Sequence, residues 1–161
     1  MKPALRPTEE ADLDFVVALE AGPEAAPFVK AWPVARHRTA LGDPDIAHLL
    51  IVDGGEPAGF VILAGVDDPD DNIELRRVVV AHPGRGLGRA ALTLVLDHAF
   101  DQLAAHRVWL DVKPANARAR HLYRSLGFVE EGILHDALRT ADGRYESLIL
   151  MAKLAPNPTP P

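Results

Sequence analysis

A glycine-rich turn constrains the fold of this 161-residue chain more than any other segment. The turn, Gly84-Arg85-Gly86-Leu87-Gly88, follows the β-branched run Ile73 to Val80 and precedes an amphipathic segment from Gly88 to Leu103. A strand that leads through such a turn into a helix directs several backbone N–H groups at one point, where phosphate binds. Because Arg85 and Arg89 add positive charge there, the segment predicts an α/β fold with an anion site.

Two other interpretations of the turn remain open on these residues alone. Gly86 to Ala91 also fits the dinucleotide fingerprint, with Asp111 placed 20 residues beyond Ala91. That fingerprint should open a doubly wound sheet, whereas a hairpin pattern precedes this one and only about 70 residues follow it. The remaining alternative is a tight turn at a helix start with no ligand.

The pattern of apolar residues and turns predicts alternating strands and helices over most of the chain. We expect the first helix to begin after Thr8, with Thr8 as its N-cap. A second helical segment is expected within residues 27–42. Further helices are predicted over 88–103 and 116–126, the second ending at Gly127. Strands are predicted over 47–52, 57–63, 73–80, 107–112, 129–134 and 147–154.

Composition excludes several classes of protein. The chain has 48% hydrophobic residues and a net charge of −6, so whole-chain disorder is excluded. Having no cysteine, it holds neither disulfides nor a thiol nucleophile. We expect one domain over 1–154, a disordered proline-rich tail over 155–161 and a cytoplasmic location. Neither nucleic acid nor a membrane is expected as a partner, and the histidine spacing predicts no metal.

Three segments in order carry a resemblance to a known family: the strand from Glu74 to Val80, the turn from Gly84 to Gly88, and Asn116 to Tyr123 leading into Leu126-Gly127-Phe128. Together they resemble the GNAT superfamily of N-acetyltransferases. The segments 131–134 and 142–145 further resemble its branch of ribosomal-protein alanine and diamine acetyltransferases.

The resemblance implies a mixed, mostly antiparallel sheet, splayed at the cofactor site and flanked by about four helices. It also implies acetyl-CoA as cosubstrate. The backbone of Val78, Val79 and Val80 would pair with the pantetheine arm, and Asn116 would bind that arm or a bridging water. The phosphates would lie on the turn, against the residues Gly84, Arg85, Gly86, Leu87, Gly88 and Arg89.

In this family the amine attacks the thioester directly, which agrees with the missing cysteine. A carboxylate must then help to deprotonate an ammonium group whose pKa is about 10. Glu74 is the first candidate base and Asp111 the second, the alternative for each being a solvated or salt-bridged carboxylate. Tyr123 is the candidate general acid, the alternative being a core aromatic residue.

The expected acceptor is a primary amine of a small molecule or a protein N-terminus. Phe15, Phe28 and Trp32 could line its pocket, although aromatic residues in such a region are more often core. Residues 76–124 hold nine basic against three acidic residues, so the acids are concentrated elsewhere, as in 67–71. A cationic acceptor, steered by that acidic remainder, is the resulting hypothesis. A homodimer is also expected. The alternatives are a non-catalytic acyl-CoA-binding module and a dinucleotide-binding enzyme.

Overall fold

A seven-stranded mixed sheet with helices on both faces forms the protein, and the computed structural model describes residues 2–156. The strands are β1 (Ala4–Pro7), β2 (Ile46–Asp53), β3 (Glu56–Ala64), β4 (Asn72–Val80), β5 (Arg107–Val112), β6 (Val129–Arg139) and β7 (Tyr145–Leu154). The helices are α1 (Leu13–Glu20), α2 (Val34–Leu41), α3 (Leu87–Asp97) and α4 (Ala117–Ser125). A 3₁₀ turn (Glu10–Asp12) precedes α1, and a π-helical turn (His98–Gln102) extends α3.

The sheet runs in the order β1-β2-β3-β4-β5-β7-β6, and every neighbouring pair is antiparallel except β4 and β5. One face packs against α3 and α4 around Leu92, Val95 and Leu110. The other face packs against α1 and α2 around Val16 and Phe60. The expected mixed, mostly antiparallel sheet with four helices is therefore confirmed.

Strands β4 and β5 are paired in parallel over only a short stretch, and the sheet opens beyond it. Pairing runs from Asn72 opposite Arg107 only as far as Glu74 opposite Trp109. On the other side of β4, Leu75 and Arg77 pair with the consecutive residues Leu63 and Ile62, so Arg76 is the extra residue of a β-bulge. A bulge bends its strand, and beyond it the cavity-facing backbone of β4 has no partner from β5.

The ends of several elements differ from their predicted positions. Thr8 does not cap the first helix, because Glu9 and Asp12 form a reciprocal capping box. Instead, Thr8 is buried, with Oγ1 2.9 Å from Nδ1 of His48. Strand β6 extends to Arg139, five residues beyond its predicted end, because its pairing with β7 resumes after an irregularity between Leu134 and Leu138.

Two further expectations concern a membrane and the C-terminal tail. None of the helices among residues 2–156 is long and apolar enough to cross a membrane. Of the predicted tail, residues 157–161 lie outside the described residues.

Candidate active site

A cavity of about 470 Å³ opens where β4 and β5 separate, a volume typical of small-molecule sites. Its walls are residues 75–78 of β4, residues 110–113 at the end of β5, the loop between α1 and α2, the hairpin between β6 and β7, and two residues of α4. The two residues from α4 are Asn116, its N-cap, and Tyr123. The site is thus built from the break in the sheet and from the elements on either side of it.

Asp111 is the one carboxylate among the residues that line the cavity. It lies on β5, two residues beyond the last residue paired with β4. Burial raises the pKa of its carboxyl group, as does the charge of Glu74, while Arg76 lowers it. A carboxylate with a raised pKa beside an open cavity is better suited to accept a proton than an ordinary surface aspartate.

Tyr123 lines the same cavity and also packs against the core on the α4 side of the sheet. It is 9% exposed, and its ring centroid lies 5.6 Å from that of Phe128. Burial raises the pKa of its hydroxyl group to about 12, and the charge of Asp111 contributes. The residue is therefore both a core aromatic and a wall of the cavity, with a phenol that stays protonated at neutral pH.

Asn116 caps α4 by accepting a hydrogen bond from the backbone N–H of Ala119 at 3.3 Å through Oδ1. Its side-chain oxygen is committed to the helix, whereas its NH₂ group has two donors for a ligand. The seven-residue separation places Asn116 and Tyr123 about two turns apart on α4. Both line the cavity, as the spacing predicts.

Glu74 is in a different setting from Asp111. It lies in the last pair of the β4–β5 ladder, and its Oε2 accepts a hydrogen bond of 3.0 Å from Nη2 of Arg76. It is not among the residues that line the cavity, although its charge acts on Asp111. This geometry favours Asp111 over Glu74 as a base.

The three valines at the end of β4 are all paired with β3, opposite Val61, Phe60 and Gly59. Val78 lines the cavity, while the side chain of Val79 is buried in the core on the α1 face. Because β5 is paired with β4 only as far as Glu74, the opposite edge of this segment is available to an extended ligand.

Two glycines of the turn have a left-handed backbone conformation. Gly84 and Gly86 have φ values of 94° and 80°, and Gly86 is the N-cap of α3. A Cβ atom added at Gly84 would lie 2.8 Å from Nη2 of Arg118 on α4. This guanidinium group therefore adjoins the turn, and the sequence analysis missed it because α4 approaches the turn only in the folded chain.

The residues of the turn and Arg89, which follows it, lie in different surroundings. Arg89 donates a hydrogen bond of 2.7 Å to Oγ of Ser125 at the end of α4. Arg85, Gly86 and Leu87 line a separate cavity of about 350 Å³, which also includes Asp53. Gly88 faces α4, since a Cβ atom there would lie 3.7 Å from a methyl group of Leu122.

Of the aromatic residues expected at an acceptor pocket, Phe28 lines the cavity. Trp32 is 7% exposed and belongs to the core between α1, α2 and the sheet, and Phe15 packs against the same core. Two arginines lie over the Trp32 ring, with the Cζ of Arg36 3.9 Å and that of Arg77 4.9 Å from its centroid.

A buried polar network behind the cavity was not predicted. Glu20 accepts hydrogen bonds from Arg77 Nη1 at 2.5 Å, from the Trp32 backbone N–H at 2.6 Å and from His37 Nε2 at 3.0 Å. His37 Nδ1 lies 3.1 Å from His48 Nε2. Sequence periodicity does not reveal such a network because its members come from α1, α2, β2 and β4. Within the described part of the chain, no cluster of His, Asp or Glu is suited to hold a metal ion.

The sheet splits between two parallel strands, and a glycine turn at a helix N-terminus lies beside the split, as the resemblance to acetyl-CoA-dependent transferases implies. A model of the acetyltransferase (GNAT) family matches residues 13–128. The chain belongs to this family, and it is an acetyl-CoA-dependent N-acetyltransferase that acts on amines. The mostly antiparallel sheet also excludes the doubly wound fold that the dinucleotide alternative requires.

Two curated relatives support this placement. Spermidine N(1)-acetyltransferase of Escherichia coli strain K12 is 28% identical over 159 residues, which cover 91% of this chain and 83% of the relative. The ribosomal protein bS18-alanine N-acetyltransferase of the same strain is 42% identical over 69 residues, or 41% of this chain and 44% of the relative.

A solved structure agrees over almost the whole chain. The crystal structure of spermidine N-acetyltransferase from Vibrio cholerae in complex with CoA and spermine superposes with a TM-score of 0.85 and 26% identity. The superposition covers 96% of each chain. The predicted relationship to the alanine and diamine acetyltransferase branch is thus confirmed.

Proposed function

We propose that Asp111 acts as the base and Tyr123 as the general acid when the amine of a small molecule or peptide attacks the thioester of acetyl-CoA. The observation that carries this proposal is the cavity at the split between β4 and β5, which both side chains line together with Asn116. Attack forms the C–N bond and breaks the C–S bond, so the enzyme supplies proton transfers and positioning but no nucleophile.

The amine nitrogen loses two protons during the reaction, and the thiolate of CoA gains one. An alkyl ammonium group has a pKa of about 10 and must lose a proton before it attacks. Asp111 receives that proton, directly or through water, and its raised pKa favours the uptake. Tyr123 then gives its hydroxyl proton to the departing thiolate of CoA, and the proton lost by the attacking nitrogen passes through water to the resulting phenolate.

Asp111 and Tyr123 act in sequence because the charge of Asp111 affects the pKa of Tyr123. Burial is the main reason that the pKa of Tyr123 is raised, and the negative charge of Asp111 raises it further. When Asp111 takes up the proton of the amine, that charge disappears and the phenol becomes more acidic. Deprotonation of the acceptor thus prepares the protonation of the leaving group.

The cofactor lies along β4 and across the turn. The backbone edge from Val78 to Val80 that β5 leaves unpaired pairs with the pantetheine arm, and the NH₂ group of Asn116 donates to it. The diphosphate takes hydrogen bonds from the backbone N–H groups between Gly84 and Gly88, with charge from Arg89 and Arg118. Arg85 and Leu87, which face the second cavity, contribute through their backbone.

Replacing Gly86 tests the role of the turn. Gly86→Ala leaves the site sterically open but forces a left-handed φ on alanine, at a cost of about 1–2 kcal/mol. Because the free turn can relax from this conformation and binding must restore it, the expected result is an increase of up to about tenfold in the Kd for acetyl-CoA, measured by calorimetry. Gly132→Ala, on the exposed strand β6, also meets no atom within 4 Å and serves as the control. Equal affinities of the two variants would contradict the placement of the cofactor.

The activity is tested by measuring release of CoA thiol from acetyl-CoA with a panel of amines and short peptides. Thermal shift titrations with acetyl-CoA and NAD provide the parallel binding test. Stabilisation by acetyl-CoA with turnover of at least one amine is the expected result. Stabilisation by NAD but not by acetyl-CoA would contradict the proposal.

A homodimer formed through β6 completes the proposal. Strand β6 lies at the edge of the sheet and exposes Val129 (65%), Ile133 (56%) and Leu134 (39%). An edge strand that exposes apolar side chains can pair with another chain, and antiparallel pairing with a second copy would cover these three. Light scattering after size exclusion should give twice the chain mass of 17.4 kDa, and Ile133→Lys should reduce it to that mass. The proposed location is the cytoplasm, where acetyl-CoA is available.

A further inference from the structure

The charge of the cavity differs from that expected for a polycation site. Five cationic side chains but only one carboxylate, that of Asp111, are found among the lining residues. The cations are Lys30, Arg76, Arg77, Lys113 and Arg139. They come from the loop after α1, from β4, from the end of β5 and from β6, so the positive charge surrounds the cavity.

Three of these cations are neutralised by carboxylates that lie outside the lining. Arg77 pairs with the buried Glu20 at 2.5 Å, and Arg76 pairs with Glu74 at 3.0 Å. Lys113 lies 3.4 Å from Glu146, and its ammonium group also donates to the backbone carbonyl of Pro27. These side chains are structural ion pairs and leave little net charge for a ligand.

Lys30 and Arg139 are different. Among residues 2–156, neither forms an ion pair with a carboxylate. Both are exposed, and they lie on separate elements that form the wall of one cavity. Two uncompensated cations thus remain at the site, and Asp111 is the one carboxylate in its lining to receive an amine.

We infer that the acceptor is a small primary amine that also carries a carboxylate or phosphate group, bound by Lys30 and Arg139 while its amine lies beside Asp111. This inference rests on the proposed acetyltransferase function and specifies its substrate class. The two cations attract the carboxylate or phosphate group of such an acceptor, whereas they repel the ammonium groups of a polyamine. The positive surroundings also lower the pKa of the bound ammonium group, which helps its deprotonation.

The cationic acceptor that the sequence suggested does not agree with this cavity. Its basis was the acidic remainder of the chain, and the acidic run of residues 67–71 lies in the loop between β3 and β4. That loop precedes the paired end of β4, and none of its residues lines the cavity. The spermidine N-acetyltransferases share the fold of this chain, whereas the side chains of Lys30 and Arg139 determine which acceptor this chain binds.

Matched amines test the inference with the full chain. Initial rates of CoA release are compared for 4-aminobutyrate against n-butylamine, for O-phosphoethanolamine against ethanolamine, and for spermidine. In at least one pair, the kcat/KM of the member that carries the carboxylate or phosphate group should exceed that of its match without the group, and that of spermidine, by about tenfold or more. The two pairs distinguish a carboxylate from a phosphate ligand.

Failure of the inference and failure of the function give different results. Turnover of n-butylamine, ethanolamine or spermidine as fast as of both 4-aminobutyrate and O-phosphoethanolamine would overturn the inference alone. Binding of acetyl-CoA without turnover of any amine would overturn the proposed function as well.

Variants of the two cations provide the second test. Lys30→Gln and Arg139→Gln should each raise the KM for the preferred acceptor by about tenfold, while the KM for its match without the anionic group does not rise and the Kd for acetyl-CoA is unchanged. Arg144→Gln is the matched control, because Arg144 lies on the same hairpin, is 86% exposed and does not line the cavity. An unchanged preference in both cavity variants would overturn the inference.

Discussion

The carboxylate of Glu20 and the imidazole of His37 form a hydrogen bond of 3.0 Å, and neither side chain is exposed to solvent. Burial alone would raise the pKa of Glu20, but hydrogen bonds from His37, Arg77 and Trp32 outweigh it, and the pKa lies below its usual value. Glu20 ends α1, His37 lies on α2 and Arg77 lies on β4. This buried carboxylate therefore fastens the helices, and the loop that carries Lys30, to the strand that lines the cavity.

Removal of Glu20 should destabilise the fold strongly. Glu20→Ala leaves the buried His37 and the partly buried Arg77 without their acceptor, and breaking a buried pair in this way costs about 3–5 kcal/mol. Urea unfolding provides the measurement. Glu10→Ala is the control, because its ion pair with Arg38 is exposed and contributes less than about 1 kcal/mol. Similar losses in the two variants would contradict the structural role of Glu20.

Stability should also depend on the protonation of His48. Burial, together with the charge of His37, lowers the pKa of His48 from 6.5 to about 4. Between these values the unfolded chain binds a proton that the folded chain does not, so the free energy of unfolding falls as the pH falls. The slope for one proton is at most about 1.4 kcal/mol per pH unit.

The measurement is urea unfolding at several pH values between about 5 and 6.5. His48→Gln should flatten the dependence, while the exposed His106→Gln should leave it unchanged. An identical slope in His48→Gln and the original protein would exclude His48 as its source.

Asp111 should matter more for turnover than Glu74. Asp111→Asn removes the proton acceptor in the cavity, and loss of a general base costs about 10²–10⁴-fold in rate. Glu74→Gln removes a carboxylate that is paired with Arg76 outside the lining, so a smaller decrease in kcat is expected. Steady-state rates with a saturating amine provide the comparison. The reverse ranking would assign the base to Glu74.

Tyr123→Phe should lower kcat by about 10²–10⁴-fold while the Kd for acetyl-CoA stays nearly the same. The phenyl ring keeps the packing against Phe128, and only the hydroxyl proton is lost. Tyr145→Phe is the control, since the chain has 2 tyrosines and Tyr145 is 57% exposed on β7. An unchanged kcat in Tyr123→Phe would remove the hydroxyl group from the mechanism.

Local sequence patterns predicted the elements around the site well. The strand 107–112 was placed at its observed ends, and Gly127, with φ of 98°, ends α4 as expected. Helical spacing alone predicts that Asn116 and Tyr123 lie on the same side of α4. These features depend on neighbours a few residues away, which the sequence displays directly.

Other features depend on contacts between distant segments. Thr8 has the chemistry of a helix cap, yet its hydroxyl group lies against His48, 40 residues away. The bulge at Arg76 comes from the register with β3, and the guanidinium of Arg118 meets the turn at Gly84 from another helix. Periodicity carries no information on such pairings, because register is set by packing across the sheet.

By itself, the sequence determined the family, the position of the glycine turn and the residues of α4, because their order and spacing lie within short segments. The tertiary structure decided how charge is arranged around the acceptor. Residues counted as basic or acidic along the chain are neutralised in pairs such as Arg77 with Glu20, and only the folded chain leaves Lys30 and Arg139 in one cavity without a carboxylate partner among the described residues. The reason is physical: Coulomb interactions depend on distance in space and on burial, whereas net charge along a sequence records neither.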